Sequence, residues 1–177
     1  MNNLFTLFTR FANSPWYWLM YVAGGSGLLG VALYYQYRLN ELPCVLCIHV
    51  RLWIALLVLV GVAGLLSNKF REMKVLLHTS VVLIAVALAE RSYQLLGTER
   101  GFVEGECGFD IGLPSWFAIE QWLPWLFRVE TSCGYTPVIM FGITMAESLM
   151  VMSVMMLLVA LSALAASFCG NSQSEIR

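Results

Sequence analysis

The sequence predicts an all-α integral membrane protein: a four-transmembrane-helix bundle with a short interfacial helix in the second outer loop. Three observations carry that reading. Of the 177 residues, 59% are hydrophobic and only 12% charged, half the charge of an ordinary soluble domain. The mean hydropathy is +0.75. Four apolar runs are each long enough to cross a bilayer. The formal net charge of −1 gives no basic surface for a nucleic acid, so none is expected as a partner. The chain reads as a single four-helix membrane domain over residues 1–177.

Span one is expected over 15–37, an uncharged run. Ser14-Pro15 supplies a helix start, with Ser as cap and Pro at the first helical position. Trp16, Tyr17 and Trp18 mark one membrane interface, and Tyr34, Tyr35 and Tyr37 the other. Gly24, Gly25, Gly27 and Gly30 would let another helix approach closely. Residues 1–14 carry only Arg10 and no apolar core before a small-residue cleavage site, so this span is expected to stay as a signal anchor. Span two is expected over 46–66 and span three over 75–96, with Gly97 as its C-terminal stop. Span four is expected over 145–168, and loops fill 38–45 and 97–144.

Lysine and arginine set the orientation. Arg10, Lys69, Arg71, Lys74 and Arg177 fall on one side, and only Arg38, Arg100 and Arg128 on the other. Both termini are therefore expected in the cytoplasm and both cysteine-bearing loops outside, which in a bacterium is the periplasm. That places Cys44, Cys47, Cys107 and Cys133 where disulfides persist, and Cys169 on the reducing side. In the long loop, 113–127 is rich in aromatic residues and interrupted by Pro114 and Pro124. It is too short to span and fits a helix lying in the interface, which would hold Cys107 and Cys133 near the membrane surface.

The chemistry concentrates in Pro43-Cys44-Val45-Leu46-Cys47-Ile48-His49-Val50-Arg51. A C-x-x-C pair is a redox dithiol or half of a zinc site. At a helix start, unpaired N–H groups and the helix dipole favour the Cys47 thiolate. Arg51, one turn on, shares its face, and an arginine inside a bilayer is a functional-site hypothesis by default. The bland alternative is a snorkelling arginine beside two structural cysteines. His49 is expected to point away from Cys47 and to be structural, as is His78.

These residues, in this order and topology, resemble the DsbB family of bacterial inner-membrane proteins. The resemblance implies an oxidoreductase that reoxidises a DsbA-like periplasmic thiol oxidase and passes the electrons to membrane quinone, ubiquinone or menaquinone. It implies that Cys107 forms the mixed disulfide with the partner. Cys133 would be its disulfide mate and able to pair with Cys44, and the Cys47 thiolate would contact the quinone. Arg51 would lie at the quinone site. The family run Ile-Tyr-Glu-Arg reads Ile48-His49-Val50-Arg51 here, so the acid at Val50 is lost. Gln94 is a candidate donor to a quinone carbonyl, with a self-satisfied Glu90–Arg91 pair as the alternative. Four rival readings follow. A DsbI-type paralogue would have the same chemistry and a dedicated partner. In enzymes similar to vitamin K epoxide reductase the loop cysteines come before the C-x-x-C, the reverse of the order here. A non-catalytic scaffold stapled by disulfides is disfavoured by Arg51. A zinc site is disfavoured by the wide spacing of Cys107 and Cys133, and no metal is expected.

Overall fold

The computed structural model describes residues 11–12, 14–67, 71–103, 112–113, 118–134, 136–140 and 142–172. Cys107 lies outside the described residues, as do the side chain of Cys169 and residues 114–117 of the expected interfacial helix. Four helices are long and apolar enough to cross a membrane: Pro15–Arg38, Val45–Leu66, Met73–Arg100 and Met145–Ser167. They belong to α1 (Pro15–Arg38), α2 (Val45–Leu66), α3 (Arg71–Arg100) and, after the loop elements, α6 (Met145–Ser172). The loop carries two single turns, α4 (Ile119–Trp122) and α5 (Pro124–Phe127). An antiparallel hairpin of β1 (Val138–Met140) and β2 (Ile143–Thr144) follows.

Local chemistry sets the helix ends. Ser14 caps α1 by accepting from the Trp16 N–H at 3.3 Å, with Pro15 in the first turn. At α6, Thr144 and Glu147 form a reciprocal capping box: Glu147 N–H donates to Thr144 Oγ1 at 3.3 Å and Thr144 N–H to Glu147 Oε2 at 3.1 Å. Gly97 is not the stop of α3. The helix continues to Arg100, and Gly101, at φ +75°, ends it. Phe102 N–H then reaches the Gly97 carbonyl at 3.0 Å and Gly101 N–H the Thr98 carbonyl at 3.3 Å, the paired bonds of a Schellman ending. Gly97 has a different task, since a Cβ there would lie 2.5 Å from Val103 Cγ2.

The bundle packs α1 on α2, α2 on α3 and α3 on α6. Its main core joins Trp18 and Tyr21 of α1 with Ile54 and Leu57 of α2, Val81 and Ile84 of α3, and Ala160 and Ala163 of α6. Tyr17 and Trp18 are core residues, 0% and 1% exposed, while Trp16 remains outside. Close approach between α1 and α2 rests mainly on glycines of α2. A Cβ on Gly64 would fall 2.2 Å from Trp18, and one on Gly61 would fall 2.9 Å from Val22. Of the four α1 glycines only Gly25 meets α2; Cβ atoms on Gly24, Gly27 and Gly30 would have nothing within 4 Å.

The described part of the interfacial segment is two turns rather than one helix. Pro124 lacks an N–H and breaks the run at Leu123. Leu126 and Phe127 are buried, whereas Trp122 and Trp125 are exposed. The hairpin is a small element that the sequence reading of the 97–144 loop did not place. Its turn uses Gly142 at φ +81°, flanked by the β-branched pairs Val138-Ile139 and Ile143-Thr144.

Candidate redox site

Helix α2 begins on a thiol. Cys44, in extended conformation, is its N-cap, and its Sγ accepts the Cys47 N–H at 3.4 Å. The C-x-x-C spacing therefore places the first sulfur over the first turn and the second within it. Cys44 Sγ donates to Cys47 Sγ at 2.9 Å. Cys44 is buried and Cys47 half-buried.

A third thiol arrives from the long loop. Glu130 and Thr131 N–H groups both donate to the Pro43 carbonyl, at 3.0 and 3.3 Å, and Thr131 forms a bridge with Cys44. Two residues later Cys133 packs beside Cys44, Leu46, Leu95 and Ala146. The contact with Cys133 pulls the Cys44 pKa down. The hydrogen bond to Cys47, burial and repulsion from a charged Cys47 outweigh that pull, and Cys44 is pushed up to about 12. Between Cys44 and Cys47, Cys44 is therefore the one that holds the proton, with Cys47 on one side of it and Cys133 on the other.

One turn beyond Cys47, Arg51 is 6% exposed. Its Nη1 donates to Gln36 Oε1 at 2.6 Å and to the Leu126 carbonyl at 3.1 Å, and its Nη2 to the Ala32 carbonyl at 3.3 Å. Hydrogen bonds from a charged donor contribute about 1.5–3 kcal/mol each, which holds the side chain within the protein. Tyr37 Oη donates to the Trp125 carbonyl at 2.8 Å, so α1 fixes the loop turn that supplies the Leu126 carbonyl.

Cys47 and Arg51 open on one cavity of about 130 Å³. Leu28, Ala32 and Tyr35 of α1 wall one side, and Val50 and Ile54 of α2 another. Met145, Ser148, Leu149 and Met152 of α6 complete it, with Glu41, Leu42 and Pro43 at the loop end. Pro137 and Ile139 contribute from the hairpin segment, which Glu99 holds by accepting from Thr136 Oγ1 at 2.5 Å and Thr144 Oγ1 at 3.2 Å. A second apolar cavity of about 270 Å³ shares Leu28, Ile54, Leu149 and Met152 with the first and continues between α1 and α6. A flat, largely apolar ligand with polar oxygens would be held by these walls, with Arg51 as donor and Cys47 as the reactive sulfur beside it.

Among the described residues, Gln94, the remaining site residue read from sequence, falls elsewhere, and His78 is structural as expected. Gln94 sits on α3 in a ladder of its own, accepting from Arg91 Nη1 at 3.0 Å and donating to Glu90 Oε1 at 3.2 Å. His78 is 1% exposed and stacks on Tyr17 and Trp18, with ring centroids 5.2 and 5.0 Å away. The sequence reading missed Gln36. Its signal was a lone glutamine inside an apolar helix, a residue type that is expensive there without a partner.

A membrane bundle that gathers three thiols and a buried guanidinium at one end defines a class, the membrane-embedded thiol–disulfide proteins. The comparisons narrow it. The family model described as Disulfide bond formation protein DsbB matches residues 14–163. Disulfide bond formation protein B of Shewanella sp. (strain MR-4) is 31% identical over 149 residues, 82% of this chain and 84% of the relative. Disulfide bond formation protein B 2 of Pseudomonas aeruginosa is 29% identical, covering 84% of this chain and 89% of its own. A namesake from Idiomarina loihiensis is 32% identical over 71% of this chain and 70% of its own. The chain belongs to the DsbB family and is a multi-pass membrane protein of disulfide bond formation.

Proposed function

We propose that the chain is a protein-thiol:quinone oxidoreductase of the bacterial inner membrane, a single four-helix domain that reoxidises a DsbA-like periplasmic thiol oxidase. Both termini face the cytoplasm, and the four cysteines of the outer loops face the periplasm. One observation carries the reading. Cys44 touches both Cys47 and Cys133, and Cys47 opens with Arg51 on an apolar cavity.

The sulfur chemistry is a relay. A partner thiolate attacks Cys107 of a Cys107–Cys133 disulfide, Cys133 leaves as thiolate, and the partner's second thiol closes its own disulfide. Cys133 attacks Cys44 of a Cys44–Cys47 disulfide, which releases Cys47 as thiolate. Cys107 then resolves the Cys44–Cys133 bond, leaving Cys44 as thiol. Arg51 and the apolar walls of the cavity would hold a membrane quinone, which would supply the acceptor for two electrons and two protons. Arg51 steadies the Cys47 thiolate and the negative charge that develops beside it, as a fixed cation in a low-dielectric site. As the Cys44–Cys47 disulfide reforms, the electron pair would leave through Cys47, with one proton given up by Cys44 and the second drawn from water. Gln94 stays outside this proposal, because its amide is engaged by Glu90 and Arg91.

The test mixes the purified protein with a reduced DsbA-like oxidase and ubiquinone. Quinone absorbance falls with the wild type and stays constant with Cys47→Ser. A folded wild type that leaves the quinone oxidised contradicts the reading.

A further inference from the structure

Gln36 has no role in that relay, yet it makes the shortest contact to Arg51, 2.6 Å between Oε1 and Nη1. It is 7% exposed, one helix away from the guanidinium it binds. The other two acceptors of Arg51 are the carbonyls of Ala32 and Leu126. All three carry dipoles and none a charge. Among the described residues the one ion pair is Arg100 with Glu147, outside the cavity. Val50, one residue before Arg51, stands where the resembling family run has an acid, so the local sequence supplies no counter-charge either.

A buried guanidinium held by a carboxylate would have much of its field cancelled at short range, because a contact between opposite charges is strong in a low dielectric. Held by neutral acceptors, it keeps a full positive charge while its position is fixed. The titratable groups around it are Cys47 and Cys44 of the thiol cluster, Tyr37 at the end of α1, and Glu130 of the loop. Tyr35 and Glu41 line the same cavity. Of the two carboxylates, Glu130 is exposed, so water screens it, and Glu41, half-buried at the loop end of the cavity, forms no ion pair with Arg51.

We infer that Gln36 is a positioning residue that anchors Arg51 through an uncharged acceptor, so that the full charge of the guanidinium is directed at the Cys47 sulfur. The inference rests on the proposed role of Arg51 at Cys47. It adds that neutrality at position 36 is the property that matters.

The experiment measures alkylation of Cys47 by a neutral maleimide in the reduced full-length protein, resolved by peptide mass, from pH 5 to 10. No quinone or partner is needed. Gln36→Glu is expected to slow the reaction at pH 7 about tenfold and to move its pH midpoint up by about one unit, the two being the same free energy. Arg51→Leu is expected to slow it at least as much, and adding Gln36→Glu to Arg51→Leu is expected to change nothing more. Gln36→Leu, which removes the anchor without adding charge, is expected to slow it about threefold, and if Gln36→Glu does not accumulate as folded protein it carries the test in combination with Arg51→Leu: no further slowing supports the anchor, and further slowing overturns it. Equal slowing by Gln36→Leu and Gln36→Glu points to packing alone and overturns the inference. An unchanged rate in Gln36→Glu, with Arg51→Leu slow, overturns it while leaving the role of Arg51 intact. An unchanged rate in Arg51→Leu removes both.

Discussion

The two ends of the α1–α2 interface bury polar groups in opposite ways. At one end, His78 of α3 is closed in by Tyr17 and Trp18, and Trp18 lies against the bare backbone of Gly64. At the other, Arg51 is equally shielded from solvent, but it has three hydrogen-bond acceptors and an open cavity in front of it. Burial alone therefore does not mark a site. The distinguishing feature is unfilled volume beside a group whose position is fixed by other residues. A packed polar ring stabilises the bundle, whereas a pinned guanidinium facing a void can act on whatever enters it.

Substitutions separate the two ends. The largest effect is expected at the packed end. Gly64→Val drives Cβ into the Trp18 ring and should lower stability by about 3 kcal/mol, at the upper end of overpacking penalties. Thermal unfolding would show it, while alkylation of Cys47 in the surviving folded protein should match wild type. Next comes Arg51→Ala at the open end. It should raise the apparent KM for ubiquinone about tenfold to a hundredfold, the worth of one charged hydrogen bond, as read by steady-state quinone reduction. An unchanged KM would mean that the guanidinium only packs.

Much of this architecture was legible in the chain. Apolar runs set the four spans to within a few residues, because span length is a local property of composition. The Cys44–Cys47 pair and Arg51 were equally visible, since helical spacing puts them on one face. Gln36 was not, because its meaning lies in a partner fifteen positions away on another helix. The end of α3 was misplaced because Gly97 and Gly101 carry the same turn signal, and only the fold shows that Gly97 is needed for the approach of Val103. The hairpin strands span only 3 and 2 residues, too few for their alternation to stand out. The Thr144-x-x-Glu147 capping box was readable but unused.

A finer comparison lies within the thiol cluster. Cys44, pushed up to about 12, should remain a thiol at pH 7 to 9. A neutral maleimide should modify Cys47 at least about tenfold faster than Cys44 across that range, with Cys44 catching up only as the pH approaches its own value. Peptide mass mapping of partly alkylated protein reads both rates. Equal rates would mean that the two sulfurs share the proton evenly.

The relay needs Cys44 to be the junction between the loop thiol and Cys47. A Cys47→Ser, Cys107→Ser double variant leaves Cys44 and Cys133 as the two thiols of the cluster. Mild copper-catalysed oxidation, followed by peptide mapping, should then give a Cys44–Cys133 disulfide in most of the protein. Recovery of both as free thiols, in protein that remains folded, would contradict the account.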